Sequence, residues 1–262
     1  MKNRMIISII SVLTIGLLAA CGSSSSSGEG GMDLVEADKF TFASSGEFKP
    51  FSVTEGGGKM SGFDIDVAEA VAKELGLEPV QKKFKFAGIV EGVKTGRFDA
   101  AVASHTITDE RAEHVDFSTP YYYSGPQIFV RPDSDIETID DLKDKEVGVS
   151  KGSTYAKLAS EKTPNVVAYD SDVTALEALS KGKHDAVITD SVTGAEGINS
   201  GFKIEGRELI GKSEQAIAVA KENEQLLDEI NSALKTLKEN GTLKEISEKY
   251  FGKDITVNPD EK

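Results

Sequence analysis

Apolar residues along this chain recur with helical spacing in some segments and form short runs in others, and the two patterns alternate. A short apolar run at residues 40–43 predicts a strand. Apolar residues spaced by three or four predict one helix at residues 63–75 and another at residues 226–237. Strands that alternate with helices are typical of an α/β fold, so we expect central sheets flanked by helices.

One combination of helix, turn and strand occurs twice. Residues 90–103 (VEGVKTGRFDAAVA) and 175–189 (ALEALSKGKHDAVIT) each contain an apolar-periodic helix, a Gly-x-x-Asp-Ala turn and a short apolar strand. Two similar βα units in two lobes would produce this repetition, and so would chance reuse of a common turn. Ligands of open α/β sheets bind beyond the carboxyl ends of the strands. We therefore expect the polar residues at these ends, 104–106 and Asp190, on opposite walls of one cleft.

The first twenty residues predict an export signal. Lys2 and Arg4 precede an apolar run at residues 5–18, which is shorter than the roughly 20 residues that span a membrane. Small residues then precede Cys21, the only cysteine of the chain, in an arrangement that resembles the lipobox of bacterial lipoproteins. We expect cleavage of residues 1–20 and lipidation of Cys21. An ordinary signal peptide followed by a chance cysteine is the alternative, and it would leave an exposed free thiol.

Residues 21–38 begin with a run of glycine and serine and predict a flexible tether between the lipid and a fold that starts at residue 39. The formal net charge of the chain is −14. Such an acidic protein is poorly suited to nucleic acid and to anionic lipid headgroups, so we expect no nucleic-acid partner. With lipid on Cys21, we expect the protein on the extracytoplasmic face of the cell membrane.

Motifs for catalysis or cofactor binding are absent from the sequence. The chain has no His-Glu-x-x-His, no cysteine pair and no Gly-x-Ser-x-Gly, and its three histidines lack metal-ligand spacing. Residues 206–213 match the P-loop pattern Gly-x4-Gly-Lys-Ser, but a P-loop leads into a helix, and residues 214–220 predict a strand. We therefore expect no enzymatic activity, no metal and no cofactor.

Arg111 is the first candidate for ligand binding. Its guanidinium can grip a carboxylate with two parallel hydrogen bonds. Ser104 and Thr106 lie just upstream and could donate hydroxyl hydrogen bonds to the same carboxylate. Taken alone, Arg111 could equally be a surface arginine.

Three further residues are candidates for the same cleft. Asp190 could accept from an ammonium group, or it could cap a helix. Phe48 and Phe86 could supply flat apolar faces to a ligand, or they could belong to the core.

Several separated motifs, in order, make residues 39–255 resemble the amino-acid solute-binding proteins of ABC importers, the polar amino-acid family. The motifs that carry the resemblance are residues 62–68 (GFDIDVA), 98–100 (FDA), 106–111 (TITDER), 115–121 (VDFSTPY), 148–149 with 151–154 (GV and KGST), 240–243 (NGTL) and 249–252 (KYFG).

The resemblance implies a two-lobed, hinged α/β fold like that of periplasmic binding proteins, with a central sheet flanked by helices in each lobe and two crossover segments between the lobes. Lobe 1 would take residues 39–126 and 219–256. Lobe 2 would take residues 127–218. Residues 257–262 would form a C-terminal tail.

The resemblance also implies roles for individual residues. In the family, the arginine that matches Arg111 binds the α-carboxylate of the ligand, helped by residues that match Ser104, Thr106 and Thr154. The aspartate that matches Asp190 takes the α-ammonium group. Aromatic residues that match Phe48 and Phe86 pack against the ligand side chain. Contact of His105 or Tyr155 with the ligand is left open.

Ser45 departs from the family's pattern for cationic ligands. Many members that bind cationic amino acids have an acidic residue at this position, and Glu47, close by, would point elsewhere if the segment is not regularly extended. With Ser45, Phe48 and Phe86 lining the side-chain pocket, a neutral or polar amino acid is therefore expected. Residues 247–257 are similar to binders of cystine and related sulfur amino acids.

The resemblance implies the binding component of an ABC importer, which acts as a monomer anchored by lipid. It would capture a free amino acid and deliver it to a membrane permease, and thus indirectly to the transporter's ATPase. The alternatives are a ligand-sensing receptor domain, a dehydratase-like enzyme on the same fold, and a surface adhesin.

Overall fold

The computed structural model describes residues 32–261, which form two lobes, each built on a central β-sheet with helices around it. The predicted two-lobed α/β fold is thus confirmed. The predicted signal peptide, Cys21 and the Gly/Ser-rich segment lie outside the described residues.

The described residues contain fourteen strands and eight α-helices. The strands are β1 (Lys39–Ser44), β2 (Glu47–Phe48), β3 (Ser52–Thr54), β4 (Met60–Ser61), β5 (Glu78–Lys83), β6 (Ala100–Thr106), β7 (Val115–Phe117), β8 (Tyr122–Ser124), β9 (Pro126–Val130), β10 (Val147–Ser150), β11 (Val166–Tyr169), β12 (Ala186–Asp190), β13 (Glu205–Leu209) and β14 (Ser213–Ala220). The helices are α1 (Phe63–Glu74), α2 (Phe86–Lys94), α3 (Asp109–Ala112), α4 (Thr154–Ser160), α5 (Asp172–Ser180), α6 (Ser191–Asn199), α7 (Glu224–Glu239) and α8 (Thr242–Phe251), with 3-10 helices at Ile139–Leu142 and Pro259–Glu261.

The first lobe is built on a six-stranded sheet. Its order is β5-β1-β6-β14-β7, and β8 also pairs with β14. Strands β5, β1 and β6 are parallel, whereas β14 runs antiparallel to β6. A small sheet of β2, β3 and β4 belongs to the same lobe. The apolar faces of α1 and α7 close the core, where Val71, Ile230 and their neighbours are buried.

The second lobe has a five-stranded sheet in the order β11-β10-β12-β9-β13. Strands β11, β10 and β12 are parallel, and β9 is antiparallel to β12. Helices α4 and α5 pack on this sheet. The parallel strands therefore end at one edge of the sheet, as do β1 and β6 in the first lobe.

The repeated sequence pattern corresponds to one βα unit in each lobe. In the first, the Asp99 carboxylate accepts a hydrogen bond from the backbone N–H of Thr41, 2.6 Å away. In the second, the Asp185 carboxylate accepts from the N–H of Glu146 at 2.9 Å. Each aspartate thus ties the start of its own strand to the neighbouring parallel strand, which is why both copies need this residue.

The chain crosses between the lobes at residue 125 and at residues 210–212. A Cβ on Gly125 would lie only 2.0 Å from the carbonyl oxygen of Gly211, so the two crossovers run side by side and only glycine fits there. Ile210 N donates to Pro126 O at 2.8 Å beside this point.

Two boundaries differ from those that the sequence suggests. Strand β14 pairs with β6, β7 and β8, so residues 213–218 belong to the first lobe and not to the second. Residues 32–38 pack on the first lobe instead of continuing the tether. The N–H of Val35 donates to Asp99 at 2.7 Å, and Leu34 packs against the core, because the buried Asp99 carboxylate needs donors on both of its oxygens.

The segment that matches the P-loop pattern joins two strands. It begins in β13 and leads into β14, so the strand predicted at residues 214–220 is confirmed. No helix follows the Lys-Ser pair to bind a phosphate with its N-terminus. Of the described residues, no helix is long and apolar enough to cross a membrane.

Candidate functional site

A cavity lies between the two lobes. The residues around it follow strand ends of both sheets, where ligands of α/β sheets bind. Seven of the eight predicted ligand-binding residues line it. The lining residues are Ser45, Glu47, Phe48, Phe86, Ser104, Thr106, Arg111, Ser150, Ser153, Thr154, Tyr155, Asp170, Ser171 and Asp172.

Arg111 supplies the cationic group of the cavity. It lies in the short helix α3, whose first turn is fixed by the Thr108 hydroxyl, which accepts from the N–H of Arg111. The guanidinium donates to the carbonyl oxygen of Thr106 at 2.8 Å and, across the cleft, to that of Gly152 at 3.2 Å. It also lies over the ring of Phe86, 5.8 Å from its centre. Burial lowers the pKa of Arg111.

The charge of Arg111 is not neutralised within the protein. Among the described residues it forms no salt bridge with a carboxylate, and its side-chain partners are the two carbonyl oxygens. A half-buried guanidinium of this kind can donate a pair of hydrogen bonds to the carboxylate of a ligand.

Ser104 and Thr106 line the cavity from the end of β6. The Ser104 hydroxyl donates to the buried carboxylate of Asp64 at 2.8 Å. The backbone of Ser104 has a positive φ of 57°, which is uncommon for serine. Thr106 offers its side chain to the cavity while its carbonyl oxygen holds Arg111.

The second lobe places buried acidic groups beside the cavity. Asp172, the first residue of α5, lines the cavity and accepts from the Thr189 hydroxyl at 2.7 Å. Burial raises the pKa of Asp172 to about 6. Thr154 and Tyr155, in the first turn of α4, complete this wall.

Asp190, the eighth predicted ligand-binding residue, is not among the residues that line the cavity. It is fully buried at the start of α6 and accepts from the N–H of Val192 at 2.8 Å, so it caps this helix. It also accepts from the Ser124 hydroxyl of the first lobe at 2.9 Å. The Tyr155 hydroxyl donates to it at 3.4 Å, and Tyr155 itself lines the cavity. Burial raises the pKa of Asp190 to about 6.

Two aromatic rings face the cavity and rest on buried rings behind them. Phe48 stacks on Phe51 with 4.9 Å between ring centres, and Phe86 stacks on His105 with 4.6 Å. His105 is buried and does not line the cavity, whereas Tyr155 does. Burial, and then the charge of Arg111, hold the pKa of His105 well below its usual range, so this ring is neutral.

The end of the cavity near Ser45 has charges of both signs. Glu47 lines it, contrary to the expectation that this side chain points elsewhere, because β2 is a two-residue strand after the turn at Gly46. Lys85 lies 3.6 Å from Glu47 and 2.9 Å from Asp170 of the other lobe. Lys83 also pairs with Glu47, at 3.0 Å, so both carboxylates at this end have basic partners.

Sequence reasoning missed Glu47, Asp170 and Asp172. A signal for the two aspartates was present, since residues 170–172 directly follow β11, a parallel strand of the second lobe. The rule that pointed to Ser104 also applies to them. Glu47 carried no comparable signal, because its orientation depends on the turn at Gly46.

Comparison with known proteins gives a consistent picture. Residues 40–253 match the family described as bacterial extracellular solute-binding proteins, family 3. The chain is 34% identical over 256 residues to the L-cystine-binding protein TcyJ of Escherichia coli (strain K12), with 95% of this chain and 96% of the relative covered. It is 32% identical to the ABC transporter glutamine-binding protein GlnH of Bacillus subtilis (strain 168), with 97% and 99% covered.

Solved structures agree. An ancestral arginine-binding protein bound to glutamine has a TM-score of 0.76 at 35% identity, with 83% of this chain and all of the other covered. The arginine-, lysine-, histidine-binding protein ArtJ of Geobacillus stearothermophilus has a TM-score of 0.78 at 30% identity, with 82% and 96% covered. The relatives that this chain resembles are thus amino-acid-binding proteins of bacteria, and the chain belongs to family 3 of the bacterial extracellular solute-binding proteins.

Proposed function

We propose that this protein captures a free amino acid by closure of its two lobes and delivers it to the permease of an ABC importer. The observation that carries the proposal is the pair of opposite walls around the cavity. The first lobe offers the unpaired guanidinium of Arg111, and the second offers the buried carboxyl of Asp172. A zwitterion with one carboxylate and one ammonium group complements this pair.

Binding proceeds by docking and then closure. The carboxylate of the amino acid binds Arg111, helped by Thr106 and Thr154. The ammonium group is then neutralised by the second lobe, with Asp172 at the cavity wall and Asp190 one side chain further back, behind Tyr155. A ligand that contacts both lobes binds the closed form better than the open form, which shifts the population towards closure.

The ligand is a neutral amino acid, and L-cystine is the first candidate. Ser45, Phe48 and Phe86 offer a polar group and two flat apolar faces to a side chain. Beyond them, Glu47 and Asp170 line the cavity with Lys83 and Lys85 as their basic partners, and they offer charged groups to the far end of the ligand. Cystine is neutral overall and carries a second carboxylate and ammonium group there, and the name of the TcyJ relative supports the same choice.

A screen for ligand-induced stabilisation tests the proposal. Each of the twenty common amino acids and L-cystine is added to the purified protein, and the thermal midpoint of unfolding is measured. Binding at 100 times the dissociation constant stabilises the folded state by about 2.7 kcal/mol. We expect a clear upward shift with L-cystine or a small set of neutral amino acids. A shift with none of the 21 compounds would refute the proposed function.

We further propose that lipid on Cys21 holds the protein, as a monomer, on the extracytoplasmic face of the membrane. The Gly/Ser-rich segment would keep the lobes at a high effective concentration beside the permease. Cys21→Ser should release a protein that still binds its amino acid but supports uptake poorly. Undiminished uptake of radiolabelled amino acid by cells that carry Cys21→Ser would count against the tether.

A binding role is favoured over an enzymatic one by the position of His105. A general base must reach the proton that it abstracts. His105, at the end of β6, is covered by Phe86 and lies outside the cavity lining. Conversion of a bound amino acid, detected by mass spectrometry after long incubation with the protein, would reverse this conclusion.

A further inference from the structure

Asp64 is a buried carboxylate that contacts Ser104, a residue that lines the cavity. It lies in the first turn of α1, within the GFDIDVA motif, and is fully inaccessible to solvent. The Tyr121 hydroxyl donates to its Oδ1 at 2.6 Å, and the Ser104 hydroxyl donates to its Oδ2 at 2.8 Å. In the described part of the chain Asp64 has no salt-bridge partner, so two hydroxyl groups hold this charge.

The Tyr121 hydroxyl also fixes the backbone of Ser104. The backbone N–H of Ser104 donates to the Tyr121 hydroxyl at 3.0 Å, so Tyr121 bridges Ser104 and Asp64. Ser104 sits where the register between β6 and β14 shifts, with φ at 57°. A serine in this conformation is strained and persists only where its surroundings hold it.

The hydrogen-bond directions decide what Ser104 can offer to a ligand. An ionised carboxylate only accepts, so both the Ser104 and the Tyr121 hydroxyl must donate to Asp64. The single proton of the Ser104 hydroxyl is then used, and only its lone pairs remain for the cavity. A carboxylate of a ligand cannot use those lone pairs, whereas an ammonium group can donate to them.

We propose that Asp64 is a positioning residue that orients the Ser104 hydroxyl as an acceptor for the ammonium group of the bound amino acid. This inference rests on the proposed function. It also changes the role of Ser104, which the family resemblance assigns to the carboxylate. The second lobe would then supply the negative charge for the ammonium group, and Ser104 would supply a neutral acceptor from the first lobe.

Asp64→Asn tests the proposal with little change in shape. An amide accepts with its oxygen but donates with its nitrogen, so one of the two hydroxyl groups must reverse. With Ser104 reversed, its proton points at the ammonium group, and affinity falls. We expect Asp64→Asn to weaken binding about tenfold or more, measured by calorimetry at pH 8.5 with the amino acid that gives the largest thermal shift among the 21 screened.

The decisive comparison introduces Asp64→Asn into a protein that already carries Ser104→Gly. Glycine adopts a positive φ without strain and has no hydroxyl to orient, so Asp64→Asn should change affinity by less than about twofold there. Asp99→Asn is the matched control, because Asp99 is a buried carboxylate of the same lobe that holds backbone N–H groups away from the cavity. It should lower stability and leave affinity unchanged.

The pH dependence separates positioning from a structural effect. Burial raises the pKa of Asp64 to about 7, and Tyr121, Tyr122 and Asp190 are the titratable groups that act on it. A protonated Asp64 can donate, as an amide does. The affinities of wild type and Asp64→Asn should therefore converge as pH falls from 8.5 to 5.

Two results would overturn the proposal. One is that Asp64→Asn lowers affinity equally with serine and with glycine at position 104. The other is that the ratio of wild-type to Asp64→Asn affinity does not change with pH. A protein that binds none of the 21 compounds would overturn the proposed function instead. In that event, thermal unfolding of the two single variants and the double variant still tests the inference. Strictly additive losses of stability would show that Asp64 does not act on Ser104.

Discussion

Three aspartates at or next to the cavity are buried, and within residues 32–261 none of them forms a salt bridge with a basic side chain. Asp172 and Asp190 belong to the second lobe and Asp64 to the first, and each is held by hydroxyl or backbone donors. Burial raises the pKa of each, to about 6 for the first two and about 7 for Asp64. The empty protein therefore keeps ionisable groups where an ammonium group of a ligand would stabilise their charged forms.

These pKa values predict how the stability of the empty protein depends on pH. Between about pH 4 and pH 6 the folded protein holds more protons than the unfolded chain, so its free energy of unfolding falls as pH rises. A rise of the Asp172 pKa from 3.8 to about 6 corresponds to a change of roughly 3 kcal/mol in the free energy of unfolding across this range. We expect Asp172→Asn to lose less stability than wild type between pH 4 and pH 7.5 in urea unfolding.

The exposed Asp228→Asn serves as the control for the same charge change. It should follow the wild-type dependence on pH. A pH dependence of Asp172→Asn as steep as that of wild type would show that burial of this carboxyl does not govern the acid range.

Single residues could be predicted from the sequence only where a motif fixes both their type and their direction. Ser104 and Thr106 lie at the end of β6 and Arg111 lies in the short helix α3 that follows it, and the sequence predicted all three at the cavity. Asp190 shares that kind of signal but caps α6, because a strand-end aspartate can turn towards the helix as readily as towards the cavity. The direction of the Glu47 side chain depends on the turn at Gly46, and no periodic pattern in the sequence indicates it.

At the scale of elements, the loop between β10 and α4 is one of the parts of the second lobe that contact the first. Gly152 in this loop has a φ of 79°, and a Cβ there would lie 2.9 Å from the Cβ of Ala87 in α2. Its carbonyl oxygen accepts from Arg111. The absence of a side chain at Gly152 thus lets the two lobes meet beside the ligand-binding arginine.

Gly152→Ala should weaken amino-acid binding by hindering closure. We expect a loss of affinity of about tenfold or more in calorimetry, because the added methyl group opposes the closed form without touching the first-lobe docking site. Gly182→Ala is the matched control, since Gly182 has a φ of 73° and no atom within 4 Å of its added Cβ. Equal affinity of the two variants would show that contact at Gly152 does not limit closure.

Most elements could be predicted, because each depends on a local pattern. The apolar spacing of α1 and α7 and the strand at residues 214–220 all appear as expected. The lobe to which β14 belongs could not be predicted from its local sequence. Its partners β6 and β7 lie about 100 residues earlier, so its place depends on long-range pairing.

At the scale of the whole molecule, the lobes are closed over the cavity and meet through weak contacts. Lys85 pairs with Asp170, and Lys157 pairs with Glu110, but all four side chains are more than half exposed. Exposed ion pairs of this kind stabilise little. Closure without an amino acid therefore gains little from the rim, and most of the preference for the closed form must come from groups of the ligand.

The most direct test of this account is calorimetry of Arg111→Ala with the amino acid that the wild-type protein binds. We predict a loss of roughly 2–5 kcal/mol of binding free energy, because the variant leaves the ligand carboxylate buried and unpaired. Arg97→Ala, which removes an arginine of the same lobe outside the cavity, should bind as wild type does. A folded Arg111→Ala protein with wild-type affinity would contradict the account.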